Sequence, residues 1–484
     1  TAAAGTAEAA VVRAALPIAP RTLEPRTPDV AVNATGRAVA VWTGRSGRRF
    51  AVFARVRPSR TARWAAIERL SAAAPARPLR PTVVMGRRGG AIALWRMPGG
   101  AVRSGSLGAG RTGGWTRRTV TADGVGFLSP ALSALPAVAA WADRATTGGV
   151  WRARRAHLVA GRWRVDAPLD LTAAGVVPPG RDATPPDVAV GARGDAALVW
   201  PGPAGPPAPA PSATVSVVRW PRGAQSWEAP AVLSGAGDEG DVALGPSGDA
   251  GVTWVETGAV RAAVRAPGAP AWPAPGTLVG GQATTPAFPH VAVNSEGYAV
   301  VAWGETEGDL SLRARIRSGA SGLWGPERTV YDGFPFFSVL ELANLEAVMD
   351  EQRVATLAWT DPEGPGSASA LAARATGSTW RIAAAVPILE DIDETALAAD
   401  ARGGALLVTP RARLVDEPHV DLVAASFPAP ARIHLTVGQL RINGRIAQRA
   451  VLRTDWLVDR IEGGLRGEDL RAGGLRADDL RTGG

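Results

Sequence analysis

The stretch Pro28–Gly44 reads PDVAVNATGRAVAVWTG, and the chain says it again as PHVAVNSEGYAVVAWGE at Pro289–Glu305 and as PDVAVGARGDAALVWPG at Pro186–Gly202. Each copy holds two short apolar runs around a polar, glycine-bearing segment. Val-rich runs of this length, bounded by Gly or Pro, read as strands. The Gly between them supplies the positive φ that a tight hairpin demands.

The Trp that ends the second run recurs at 42, 95, 141, 200, 254, 303 and 359, with steps of 53, 46, 59, 54, 49 and 56 residues. Gly stands six places earlier at 36, 89, 194, 248 and 297; unit three has no turn Gly, and unit seven has Arg353 there. A second Trp follows at 64, 115, 163, 227, 272, 324 and 380. Between the two Trp lies a third apolar run mixed with Arg, such as AVFARVR (51–57) or LSLRARIR (310–317). A fourth run opens at the second Trp, as in WAAIERL (64–70). Four strands in a unit of roughly 50 residues make the blade of a β-propeller.

An eighth unit, ALAADARGGALLVTP (396–410), keeps the pattern but has Thr409 where Trp is expected. IAPRTL (18–23) reads as the end of an orphan fourth strand. The expected fold is therefore all-β, an eight-bladed propeller over 18–429 behind a lead of 1–17. The N-terminal strand completes the last blade and removes the open edges. Seven blades is the other count the pattern allows, and ARIHLTV (431–437) competes for the closing position.

Composition agrees. The 484 residues include 58 Gly and 40 Pro, no Cys, and 53 Arg with no Lys. Cys-free chemistry excludes disulfides and thiolate metal sites. No apolar run reaches the ~18 residues of a membrane-spanning helix. The Ala, Arg, Gly and Pro bias points to a high-GC genome. Charge is uneven: residues 1–232 hold 31 Arg against 12 acids, and residues 233–427 hold 12 Arg against 25 acids. Early blades are expected to form a basic half and later blades an acidic half, a field that steers partners.

Candidate binding residues follow the first Trp of each unit, where units differ. Two places beyond it stand Asp143, Glu256, Glu305 and Asp361; unit six continues with Glu307 and Asp309, and unit one carries Arg45, Arg48 and Arg49. The competing and favoured reading of the carboxylates pairs them with third-strand arginines such as Arg152, Arg261, Arg313 and Arg374. No catalytic, cofactor or metal constellation emerges. His157, His290, His419 and His434 are scattered, no G-x-S-x-G occurs, and Tyr298 and Tyr331 sit in the strand pattern. The G-x-G-x-x-G matches at Gly108–Gly113 and Gly235–Gly240 lead into strands, not the helix a phosphate site needs. RGD at Arg193–Asp195 and the sequon Asn33–Thr35 fall on tight turns. The Trp series reads as packing between blades, with sugar stacking as the rival; Trp151, Trp220 and Trp456 lie outside both series.

The tail changes character. Apolar residues at 440, 447, 450, 451, 457, 458 and 461 suggest a connector and amphipathic helix over 430–462, with oligomerisation through 439–462. Residues 463–484 form a Leu/Arg/Gly-rich tail that repeats from Leu465 as LRGEDLRAGG LRADDLRTGG.

The repeat phrase with its later Trp resembles the propeller repeats of secreted proteins from high-GC Gram-positive bacteria, most without assigned function. It is more distantly similar to sialidase-type propellers, whose S-x-D-x-G-x-x-W turn corresponds here to GASGLW (319–324) without the Asp. The resemblance implies a secreted or cell-surface propeller and says little about activity; with no catalytic, cofactor or metal constellation in the sequence, the expected role is a non-catalytic binding scaffold without cofactor. The basic half suggests as its partner a protein or an anionic polymer of the cell envelope. A lectin-like propeller and a sialidase-like glycoside hydrolase are the alternatives.

Overall fold

The computed structural model describes residues 16–122, 131–134, 137–144, 151–171, 186–201, 214–280, 285–307, 309–334, 345–364, 367–376, 379–388, 395–400, 404–413, 419–427, 431–434, 440–442, 445–448 and 455–458. It separates into two compact units, Thr1–Phe427 and Pro428–Gly484.

The first unit is an eight-bladed β-propeller of antiparallel sheets. From innermost to outermost strand, blade 1 comprises Arg26–Val32, Ala38–Ser46, Arg49–Arg57 and Glu68–Arg69. Blade 2 comprises Leu79–Met85, Ala91–Arg96, Val102–Leu107 and Thr116–Thr121. Blade 3 has Ala131–Ala134, Ala137–Arg144, Trp151–Val159 and Arg162–Val165, with Leu169–Asp170 also on its third strand. Blade 4 has Asp187–Val190, Ala196–Pro201, Val215–Trp220 and Ala231–Ser234. Blade 5 has Asp238–Leu244, Ala250–Glu256, Ala259–Arg265 and Gly276–Gly280. Blade 6 has Thr285–Val293, Ala299–Glu307, Asp309–Arg317 and Arg328–Phe334. Blade 7 has Glu346–Met349, Ala355–Gly364, Ser367–Thr376 and Thr379–Ile388.

Blade 8 takes three strands from the end of the unit, Ala396–Ala399, Ala405–Arg413 and His419–Phe427. Its outermost strand is N-terminal: Leu16–Ala19 runs antiparallel to His419–Phe427, with Leu16 opposite Ala424 and Ala19 opposite Leu422. The competing closing strand does not take that place, because Ala431–His434 pairs with Asp455–Val458. The first two strands of blade 8 also pack on the innermost strand of blade 1, so the ring closes.

The core is divided among the seams between blades. Trp42, Trp95, Trp141, Trp200, Trp254, Trp303 and Trp359 are all fully buried. Each lies in the cluster shared with the preceding blade. Burying one such ring removes roughly 150–250 Å² from water, worth about 4–6 kcal/mol before entropic costs. The second Trp of each blade joins the same cluster. The seam between blades 7 and 8 has no Trp among its described residues; Leu397, Leu407 and Val423 fill it beside small alanines.

Gly36, Gly89, Gly194, Gly248 and Gly297 have φ between +74° and +96°, the left-handed region a Cβ disfavours. Arg353, in the Gly place of blade 7, adopts φ +65°. Asn294 and Asp350 hold their turns with the side-chain oxygen, which accepts the N–H groups two and four residues on.

The described part of the second unit corrects one expectation. Among the described residues of the tail there are short strands and no helix: Leu440–Ile442 pairs with Arg445–Gln448, and Ala431–His434 with Asp455–Val458. The sequence reason is local. Leu440-Arg441-Ile442 and Arg445-Ile446 alternate with period two, and Asn443-Gly444 between them is a hairpin signal.

Ile18, fully buried in the closing strand, contrasts with Leu323, which is 71% exposed. Ile18→Ala is expected to cost about 2–5 kcal/mol and Leu323→Ala less than about 0.5 kcal/mol in denaturant titration. Equal effects would contradict closure by this strand.

Candidate functional site

The register sorts the loops onto two edges. First-to-second and third-to-fourth strand turns share one edge. Second-to-third strand loops and the connections between blades share the other. The innermost strands begin at this second edge, facing the central channel.

An innermost strand has no inner neighbour, so some of its N–H groups need other acceptors. A bulge interrupts it before Asp29, Thr82, Asp241 and His290. The residue two places earlier has positive φ at Thr27, Glu239 and Phe288. Bulges re-aim side chains, and here the residue after the bulge reaches the next blade. Asp29 accepts the Val83 N–H at 2.6 Å and the Thr82 hydroxyl at 2.8 Å. Asp187 accepts the Val242 N–H at 3.1 Å, and Asp241 the Val291 N–H at 2.6 Å. The Asp of PDVAV is thus an inter-blade staple. Sequence reading missed it; its signal was the recurrence of Asp before the first apolar run.

Blades 4 to 6 bring these groups together. Asp187 and Asp241 hydrogen-bond to each other, and His290 Nδ1 lies 3.6 Å from an Asp241 oxygen. Burial, then the Asp241 charge, pushes the Asp187 carboxyl well above the usual range. Burial raises Asp241 too, against the Asp187 hydrogen bond and the Val291 N–H. Burial drives His290 down to about 4, opposed by Asp187, so its imidazole is neutral at neutral pH. A hydrogen-bonded carboxyl pair, both members raised by burial, beside a neutral imidazole is a place where a proton can be given or taken. Among the described residues no three such groups are placed to hold a metal ion.

The described carboxylates beyond the first Trp are engaged within their own blades. Trp303 Nε1 donates to Glu305 at 2.8 Å, and Trp254 Nε1 to Glu256 at 3.2 Å. Asp143 accepts from Trp141 in the same way. The third strand adds an arginine directly across from each Trp: Arg154, Arg261 and Arg313 pair with Asp143, Glu256 and Glu305. Where the corresponding residue is Gly44, Met97 or Gly202, the indole N–H of Trp42, Trp95 or Trp200 has no partner among the described residues. Asp361 stands opposite Ser369, and Glu307 opposite Asp309, in strand register; their side chains lie outside the described residues.

Arg45, Arg48 and Arg49 form an exposed hairpin end in blade 1. Arg45 meets Glu24 at 3.0 Å, and both Arg45 and Arg77 lie over Phe50. Trp151 and Trp220 are buried, edge-on to Trp200 and Trp227. Asp195 of RGD is 3% exposed, and Asn33 of the sequon binds its own turn. Asp195 and Asn33 are thus withheld from solvent, while Arg193 and Thr35 are exposed. The proline-rich 202–213 lies outside the described residues.

Glu305→Ala leaves a buried indole N–H and Arg313 without their carboxylate and is expected to cost about 1–3 kcal/mol by thermal denaturation. Asp187 gives a pH signature. Its folded value is raised, so its stabilising contribution is lost as pH rises through that value. Asp187→Asn keeps an acceptor and a donor but cannot ionise. Its melting temperature should match the parent near pH 4 and exceed it near pH 8, by about 1 kcal/mol in stability for each unit of elevation. A constant offset across that range would refute the raised Asp187 value.

No protein-family model matches the sequence, and no curated relative matches it. Solved structures share the architecture at low identity. The β-propeller domain of the Trilobed protease from Pyrococcus furiosus is 6% identical, covering 74% of this chain and 98% of that one, with a TM-score of 0.43. A polysaccharide lyase, an ulvan lyase, is 9% identical over 84% and 92% of the two chains, with a TM-score of 0.39. The leech intramolecular trans-sialidase is 9% identical over 83% and 68%, with a TM-score of 0.31. The chain itself is an eight-bladed β-propeller closed by its N-terminal strand.

Proposed function

We propose that this propeller is a non-catalytic binding scaffold, at or outside the cell surface, whose basic half holds an anionic polymer. The supporting observation is a wall of exposed arginines. Arg69, Arg103, Arg117, Arg162 and Arg164 line the third and outermost strands of blades 1 to 3, beside the Arg45, Arg48 and Arg49 hairpin. The wall is continuous: Arg117 donates to the Arg69 carbonyl at 2.7 Å, and the outermost strands of blades 2 and 3 touch. Nearby acids are engaged. Glu68 accepts the Gly114 and Trp115 N–H groups at 2.7 and 3.1 Å, and Asp166 faces Arg155 and His157. Regularly spaced cations with few competing carboxylates suit a polyanion such as a cell-envelope polymer or an acidic glycan. The resemblance of the repeat to secreted propellers supports the location.

A second reading, a lectin-like propeller, rests on Trp64, Trp163, Trp272, Trp324 and Trp380, which keep some exposure at their seams. It requires binding of neutral sugars.

Chromatography on heparin and on immobilised teichoic acid separates the readings. The full chain should be retained at ~150 mM salt. Replacing Arg103, Arg117, Arg162 and Arg164 by Gln should flatten the slope of log affinity against log salt by about three, at ~0.7–0.9 per lost contact. No retention even at low salt overturns the polymer reading, and binding of neutral sugars alone transfers the case to the lectin.

A further inference from the structure

Three blades share an Arg seven residues before the second Trp: Arg57 and Trp64, Arg265 and Trp272, Arg317 and Trp324. In each, the Arg pairs across the sheet with the residue four before the first Trp, Ala38, Ala250 or Ala299. In blades 1 and 5 the guanidinium lies over the indole, 5.5 and 6.0 Å from the ring centroid.

The two stacked pairs differ in what completes them. At the seam of blades 4 and 5, Glu228 of the preceding blade grips Arg265 with both oxygens, at 2.8 and 3.2 Å. At the seam of blades 8 and 1, the preceding blade ends in Leu16–Ala19, which carries no carboxylate. Arg57, only 7% exposed, donates from one terminal nitrogen to the Ser426 hydroxyl at 2.7 Å, where Arg265 meets Glu228; its Nε has no partner among the described residues, whereas the Arg265 Nε donates to the Ala269 carbonyl at 2.9 Å. Neighbouring Arg60 is taken by Asp400. Among the described residues two guanidinium groups therefore share one carboxylate, which leaves a positive charge over. Burial, and then Arg60, lowers the Arg57 pKa, while Asp400 opposes them, as for a buried cation short of counter-charge. A pocket of about 190 Å³ opens here, lined by Leu16, Arg57, Arg60, Thr61, Trp64 and Ser426 among others. That is the volume of roughly six waters, and its remaining wall includes Ala62 and Ala424.

We propose that this pocket binds a small monocarboxylate with a short apolar body. The ligand's carboxylate takes at Arg57 the place that Glu228 takes at Arg265. Thr61 is available as a hydroxyl donor, and the apolar body rests on Leu16, Ala62 and Ala424. Bidentate carboxylate recognition is what a planar guanidinium provides. The site is separate from the arginine wall of blades 1 to 3, and its ligand is small, so the two proposals stand or fall independently.

The test is calorimetric titration of the full chain with butyrate and with benzoate at constant ionic strength, with butanol and sulfate as controls. Saturable binding of the carboxylates, weakened at least tenfold in Arg57→Gln, is expected; butanol should not bind. Ser426→Asp places a carboxylate beside Arg57. It should raise the melting temperature of the free protein and abolish carboxylate binding, and it carries the test alone if Arg57→Gln does not fold. Three outcomes overturn the proposal: no saturable carboxylate binding, sulfate binding as tight as benzoate, or unchanged affinity in Ser426→Asp.

Discussion

A four-stranded blade has two faces to bury and only its neighbours to bury them against. That constraint organises the chain. One indole in each of blades 1 to 7, fully buried on the second strand, fills the seam toward the preceding blade, and small residues such as Ala38, Ala40 and Ala299 let the sheets approach around it. The arrangement closes only if the last blade is as complete as the others, and it borrows its outermost strand from Leu16–Ala19. Stability of the ring is thus tied to both ends of one continuous unit. Blade 8 is the exception on a second count, since Thr409 gives its seam no indole.

Packing of this kind creates polar debts of its own, and the repeat carries their solutions. A buried indole N–H needs an acceptor, which the residue two places on supplies at Asp143, Glu256 and Glu305. The carboxylate then needs a cation, which the facing third strand supplies at Arg154, Arg261 and Arg313. The innermost strands need acceptors along the channel, which Asp29, Asp187 and Asp241 supply from the blade before. Much of the chain's charge is therefore a consequence of architecture. A carboxylate that recurs at a fixed place after Trp is better explained by the Trp than by a ligand.

That distinction governs what could be read from sequence. The blade was legible because Trp, Gly and the apolar runs keep one phase for over 300 residues, and a mutual phase of that kind has few physical explanations. The closing strand was legible because IAPRTL precedes unit one as other fourth strands precede their successors. The tail was misread because seven apolar positions match a helical period loosely, while the decisive Asn443-Gly444 signal is two residues long. The channel staple was overlooked because Asp before Val looks like an ordinary strand start; nothing local announces that its acceptor faces the next blade. The Arg57 pocket could not be found by pattern at all. Arg57 and Arg265 occupy the same repeat position, and only the neighbouring blade distinguishes them.

Repetition and function are opposed in a ring of this sort. Whatever every blade shares is already committed to its seam, so a binding site must arise where one blade departs from the rest. The arginine pairs show the logic at a single position. Where the preceding blade supplies Glu228, the Arg265 charge is internally balanced and no ligand is needed. Where the preceding blade is finished by the chain's own N-terminal strand, no such carboxylate meets the same guanidinium over the same ring among the described residues. The way the ring closes, a matter of folding, therefore decides where this surface holds an unmatched charge, a matter of recognition.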